Sequence, residues 1–135
     1  MPQCDIYHDA VKTALIQDGW TITHDPFALP FGLHNLYVDW GAEQMLAAEK
    51  DGQQIVVEVQ SFLGRSEVEG LEHAWGQYLL YRCLLQRRCP ERTLHLAVPE
   101  DAFNGVFSTQ LGYAVREEYA LKLIVFDPFR EVILQ

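Results

Sequence analysis

The sequence predicts a single α/β domain over residues 1–135, with a mixed central sheet flanked by helices. Three observations lead there. Segments with helical apolar spacing interleave with strand-like segments, a pattern that buries a mixed sheet under helices. The 135 residues are enough for one core and too few for two ordinary domains. No repeat, low-complexity tract or linker divides the chain.

Ile6 to Asp18 reads as a helix, because Tyr7, Ala10, Val11, Ala14 and Leu15 form one apolar stripe. Gly19 follows as a helix stop. Trp20 to His24 alternates like a strand, and Pro26, Pro30 and Gly32 mark a loop. Leu36 to Asp39 begins a second strand, continuing with an irregularity at Gly41 through Met45 to Glu49. Lys50-Asp51-Gly52 supplies a turn. Ile55 to Phe62 is the clearest strand. Ile55, Val57 and Val59 point to one face, and Val56, Glu58, Gln60 and Phe62 to the other.

Gly64 ends that strand, and Ser66-Glu67-Val68-Glu69 fits a capping box. The helix it opens runs to about Arg87, with Val68, Leu71, Trp75, Tyr78 and Leu85 as its buried stripe. Pro90 lies just past its end. Thr93 to Val98 is a buried strand stopped by Pro99, and a short helical stretch follows from about Asp101. Leu121 to Phe126 is the last buried strand, before Asp127-Pro128. Val132 to Leu134 adds an edge.

Composition narrows the class. The chain is 49% hydrophobic and 21% charged, a globular balance. No apolar run suits a membrane span, and Met1 to Leu15 does not resemble a signal peptide, so a cytoplasmic location is expected. Cys4, Cys83 and Cys89 form no CxxC and read as reduced thiols. The formal charge of −9 argues against a broadly basic nucleic-acid surface. Arg82, Arg87, Arg88 and Arg92 are four of the ten basic residues, clustered in one stretch. They read either as a phosphate-facing patch or as charges complementing a helix C-terminus.

Two constellations carry candidate chemistry. Glu58 and Gln60 project from one face, roughly 6–7 Å apart along the strand. They interrupt an apolar run in which a carboxylate is costly to bury unless paired or bound to a cation. Asp39, 19 residues earlier, begins the neighbouring strand. Two converging carboxylates form a hard-oxygen site that suits Mg²⁺ better than zinc; a solvated sheet face is the other reading. Glu43 and Glu49 compete with Asp39 for the second carboxylate. Gln77 and Tyr81 are four apart and share a helix face. They read either as a phosphate or carboxylate contact, or as core Tyr81 with a satisfied polar neighbour. The five histidines have no zinc spacing, and Ser61 lacks a nucleophile elbow.

Longer blocks carry a resemblance. Asp5-Ile6-Tyr7-His8-Asp9-Ala10-Val11, Asp18-Gly19-Trp20-Thr21-Ile22-Thr23-His24-Asp25-Pro26 and Val56-Val57-Glu58-Val59-Gln60-Ser61-Phe62 resemble the XisH family. So do Gly76-Gln77-Tyr78-Leu79-Leu80-Tyr81, Leu96-Ala97-Val98-Pro99 and Leu123-Ile124-Val125-Phe126-Asp127. These are cyanobacterial proteins named as fdxN element excision controlling factors. The resemblance spans nearly the whole chain and implies the restriction-endonuclease-like core of the PD-(D/E)xK nucleases. It implies Asp39 and Glu58 as metal ligands, possible Mg²⁺ use, and Gln60 at the lysine position. Gln77 and Tyr81 match the QxxxY helix motif of RecB-like nucleases, and Asp9 or His8 is the nearest match to a supporting group on the first helix.

Gln60 is the departure, since relatives read Glu-Val-Lys there. Glutamine donates hydrogen bonds but supplies no charge and shuttles no proton. Lys50 is an alternative cation, though it sits at the hairpin turn. Two functions follow as expectations. One is an accessory factor in DNA excision that binds DNA and an XisI-like companion, or self-associates as a homo-oligomer, on a catalytically weakened nuclease fold. The other is an active Mg-dependent endonuclease that hydrolyses DNA phosphodiesters through Asp39 and Glu58. A small-molecule binding domain has no positive signal in the sequence.

Overall fold

The computed structural model describes residues 6–28, 45–62 and 67–135. Helix α1 spans His8–Gln17 and buries Ala10, Val11, Ala14 and Leu15, the stripe read from the sequence. Gly19 ends it at a φ of +97°. Strand β1 is Thr21–His24. Strands β2, Met45–Lys50, and β3, Gln53–Val59, form a hairpin. Its two turn residues, Asp51 and Gly52, take φ of 52° and 81°. Positive φ at both positions matches the right-handed twist of the strands, as a type I′ turn does.

Helix α2, Glu67–Arg88, crosses from β3 to the parallel strand β4, Arg92–Pro99. Helix α3, Glu100–Asn104, a 3₁₀ turn, Val106–Ser108, and helix α4, Gln110–Tyr119, lead to β5, Leu123–Asp127. Strand β6, Val132–Ile133, closes the edge. The six strands lie in chain order. The pairs β1–β2, β2–β3 and β5–β6 are antiparallel, and β3–β4 and β4–β5 are parallel. The sheet is therefore mixed and flanked by helices, an order compatible with a restriction-endonuclease-like core. No helix among the described residues is long and apolar enough to cross a membrane.

Each sheet face has its own core. On one, Val11 and Leu15 of α1 pack on Leu46, Ile55, Val57, Val59 and Phe126. On the other, Leu71, Ala74, Tyr78, Tyr81 and Leu85 of α2 pack on Met45, Val56, Leu94 and Leu96, with Val106 and Phe107. The face assignment read from the β3 alternation holds.

Several expected details differ. Strand β3 begins two residues before Ile55 and stops at Val59, three short of Phe62. Phe62 turns aside with a φ of 64° and packs edge-on against Phe107, 5.5 Å between ring centres. Val68 is half exposed, while Ala74, Tyr81 and Leu84 join the buried stripe of α2. The short helical stretch after Asp101 is three pieces, because Gly105 breaks it and Thr109 caps a new helix. The expected strand start at Leu36–Asp39, Gly41, Gly64 and the Ser66 cap fall outside the described residues, as does Cys4. Cys83 and Cys89 are free thiols.

Gly112 sets the close approach of α4 to the 3₁₀ turn. Its amide donates to the Thr109 hydroxyl oxygen at 3.0 Å. A Cβ there would collide with the Val106 carbonyl oxygen and lie 2.7 Å from the Phe107 Cα. Alanine ordinarily stabilises a helix over glycine by about 1 kcal/mol. Here we expect Gly112→Ala to destabilise instead, by about 1–3 kcal/mol of overpacking. Urea denaturation of the variant checks the sign.

Candidate functional site

From Ile55 to Val59 strand β3 is buried on both faces, so a polar side chain in that stretch is shut off from water. Glu58 points with Val56 toward α2 and is 1% exposed. Its Oε2 accepts a hydrogen bond from the Gln60 side-chain amide at 3.1 Å. The same nitrogen donates to Gln77 Oε1 on α2 at 2.7 Å. Three residues that the sequence placed at the site therefore form one connected polar strip between the sheet and the helix. Glu58 Oε1 has no hydrogen-bond partner among the described residues.

The backbone holds this strip in place. The Gln60 amide donates to the Ala97 carbonyl at 3.0 Å, one step beyond the end of β3. Gln60 thus keeps the alternation of the strand and stays on the face of Glu58. Tyr81 is one turn past Gln77 and 2% exposed, within the α2 core. Gln77 and Tyr81 also border an open cleft of about 320 Å³, together with Glu72, His73 and Leu80.

The electrostatics of Glu58 follow from its surroundings. Burial pushes its pKa up to about 8, and the Gln60 hydrogen bond only partly offsets this. Near neutral pH the carboxyl is therefore largely protonated. A cation beside it would reverse that balance.

The remaining candidates fall elsewhere. Asp39 and Glu43 lie outside the described residues. Glu49 is exposed and shares the face of Glu58, but it sits four residues along β2 from Met45, the register partner of Glu58. That is about 13 Å along the strand, too far for a shared cation. Lys50 is at the hairpin turn, where its Nζ donates to the Asp18 carbonyl at 2.6 Å. It does not stand in for a lysine at position 60. Among the described residues no three of His, Cys, Asp and Glu converge as a metal-binding group.

His8 and Asp9 belong to α1, which covers the opposite face of the sheet from Glu58. His8 Nε2 lies 2.6 Å from Asp25 Oδ1, and Lys12 Nζ lies 2.9 Å from Asp25 Oδ2. Burial raises the Asp25 pKa, but the hydrogen bonds from Lys12 and His8 outweigh it and leave the group below its usual value. The sequence reading missed Asp25 as their shared partner. The available signal was the i, i+4 spacing of His8 and Lys12, which puts both on one helix face.

The XisH protein family matches the chain over residues 1–134. The crystal structure of an XisH family protein from Nostoc punctiforme PCC 73102 is similar, with 40% identity and a TM-score of 0.87, covering 97% of this chain and 98% of that one. So is a fdxN element excision controlling factor protein from Anabaena variabilis, with 39% identity, a TM-score of 0.87 and 97% of each chain covered. Curated proteins give no match.

The raised pKa of Glu58 makes a stability prediction. The folded state keeps this proton up to about pH 8, whereas an ordinary carboxyl releases it near 4.5. Between those values the folded state binds more protons than the unfolded chain, so the residue destabilises the fold progressively as pH rises. The penalty is absent below about 4.5 and complete above about 8. Glu58→Gln removes it. Relative to wild type, the variant should gain up to roughly 4 kcal/mol between pH 5 and pH 8. Denaturant unfolding at both pH values measures the difference, and equal pH slopes for the two proteins would contradict the burial argument.

Proposed function

The chain belongs to the XisH family, and on that footing we propose that it is an accessory factor in site-specific DNA excision whose nuclease-type site binds a divalent cation and cleaves weakly. The observation that carries this reading is the Glu58–Gln60–Gln77 strip. It puts a buried carboxyl with one unpartnered oxygen beside an uncharged amide. An orphaned buried oxygen is the kind of group that a hard cation satisfies. Glu58, with Asp39 as its partner, would hold the ion. When bound, Mg²⁺ supplies an activated water and charge stabilisation at a phosphodiester.

Gln60 is what weakens the chemistry. It orients Glu58 through one amide proton and is itself oriented through Gln77. It contributes no positive charge where charge develops on a scissile phosphate. Loss of one such electrostatic stabiliser costs on the order of 10²–10³ in rate. The −9 charge also argues against strong non-specific DNA affinity. On this reading an XisI-like companion protein supplies much of the DNA contact. The relative from Anabaena variabilis named as an fdxN element excision controlling factor supports the assignment to excision.

Metal binding and cleavage are tested separately. Titration calorimetry with Mg²⁺ or Mn²⁺ should show binding by the wild type, weakened in Asp39→Ala and in Glu58→Gln. Because Glu58 holds its proton at pH 7, each cation should displace roughly one proton, read from the buffer dependence of the heat. On supercoiled, nicked and branched DNA the wild type should cut poorly. Gln60→Lys should raise the rate on the order of 10²–10³. Efficient wild-type cleavage that Asp39→Ala abolishes would favour the active endonuclease instead. Absence of any cation binding would sink both.

A further inference from the structure

At the other end of the sheet lies a cleft of about 250 Å³. It opens where α2 ends and where β4 and β5 begin. Its cations are Arg82, Arg92 and Lys122, its apolar floor includes Leu85 and Leu94, and no acidic residue among the described ones lines it. The clustered arginines thus divide. Arg87 and Arg88 are exposed on the last turn of α2, while Arg82 and Arg92 are half-buried in the cleft wall.

Both wall arginines are held in place. Arg82 Nη1 donates to the Tyr119 carbonyl at 3.0 Å, and its guanidinium sits over the Tyr78 ring at 5.6 Å. The Arg92 guanidinium sits over the Phe27 ring at 5.4 Å. Arg92 Nη1 is buried and has no hydrogen-bond partner among the described residues. A buried, charged donor left unpaired is costly, and it is relieved by an anion. Fixed guanidiniums lose little entropy on binding, and their fork matches phosphate oxygens.

We infer that this cleft is a binding site for a small phosphate monoester, with Arg82, Arg92 and Lys122 around the phosphate and Leu85 and Leu94 beneath the carbon skeleton. The volume is just below that of drug-sized pockets, which suits a metabolite and leaves no room for a duplex. The net charge of −9 points the same way, since it repels a polyanion more than a small ion. Register places the site apart from Glu58. Arg92 pairs with Gln54, four residues before Glu58 on β3, about 13 Å along the strand.

Calorimetry with inorganic phosphate and with ribose 5-phosphate, in EDTA to remove divalent cations, tests the site in the intact chain. Saturable binding is expected with the wild type. Lys122→Gln, an exposed position, should weaken it at least roughly tenfold while leaving thermal stability without ligand unchanged. Arg92→Gln should weaken it by at least as much. No saturable binding at millimolar ligand overturns the inference, as does binding that both variants retain. A DNA duplex that competes at lower concentration than ribose 5-phosphate also overturns it, by making the cleft a nucleic-acid contact.

Discussion

The double burial of β3 organises the molecule. Residues Ile55 to Val59 are all buried, on both faces of a strand with neighbours on each side. A strand in that position needs cover above and below. α1 supplies one cover and α2 the other, and each contributes a stripe matched to alternate residues of β3. The parallel pairing of β3 with β4 requires a long crossover, and the 22 residues of α2 are that crossover. The helix that the topology needs for connection is therefore the one that closes over Glu58.

Glu58 is the exception within this apolar strand. It occupies a position where valine or isoleucine would be cheaper, and its raised pKa is the sign of that cost. The fold keeps the group tolerable by leaving it protonated and by bonding one oxygen to Gln60. Gln77 is then needed in turn, because it orients the amide that bonds Glu58. A purely structural carboxyl would be expected to have both oxygens satisfied. One is not, among the described residues.

The legibility of the chain in its sequence follows from periodicity. The elements facing the sheet announced themselves: the α1 stripe, the β3 alternation and the apolar runs of β4 and β5. Glu58 and Gln60 were visible because polar residues inside an apolar run are conspicuous, and Gln77 because its spacing to Tyr81 fits one helix face. What failed were features set by tertiary neighbours. Val68 has the right spacing for the buried stripe yet lies too early on α2 to reach the sheet core. The close contact of Gly112 with the 3₁₀ turn after the break at Gly105 is likewise a tertiary feature that the sequence pattern does not show. Glu49 looked equivalent to other carboxylates until register placed it four residues from the partner of Glu58. His8 and Asp9 entered only through the resemblance, and which face α1 covers is likewise set by tertiary packing.

The separation of charge in the molecule bears on what Gln60 means. An arginine or lysine near Glu58 would lower its pKa, as Lys12 and His8 lower that of Asp25. Among the described residues nothing cationic does so. Burial raises the Glu58 pKa, and only the neutral Gln60 amide acts against it. Arg82 of α2 and Arg92 just past its end are instead engaged at the far end of the sheet, with Tyr78, Tyr119 and Phe27. The positive charge absent at position 60 has therefore not been moved to another residue facing Glu58 among the described ones. On the proposed reading, a bound divalent cation would supply the charge that stabilises an ionised Glu58.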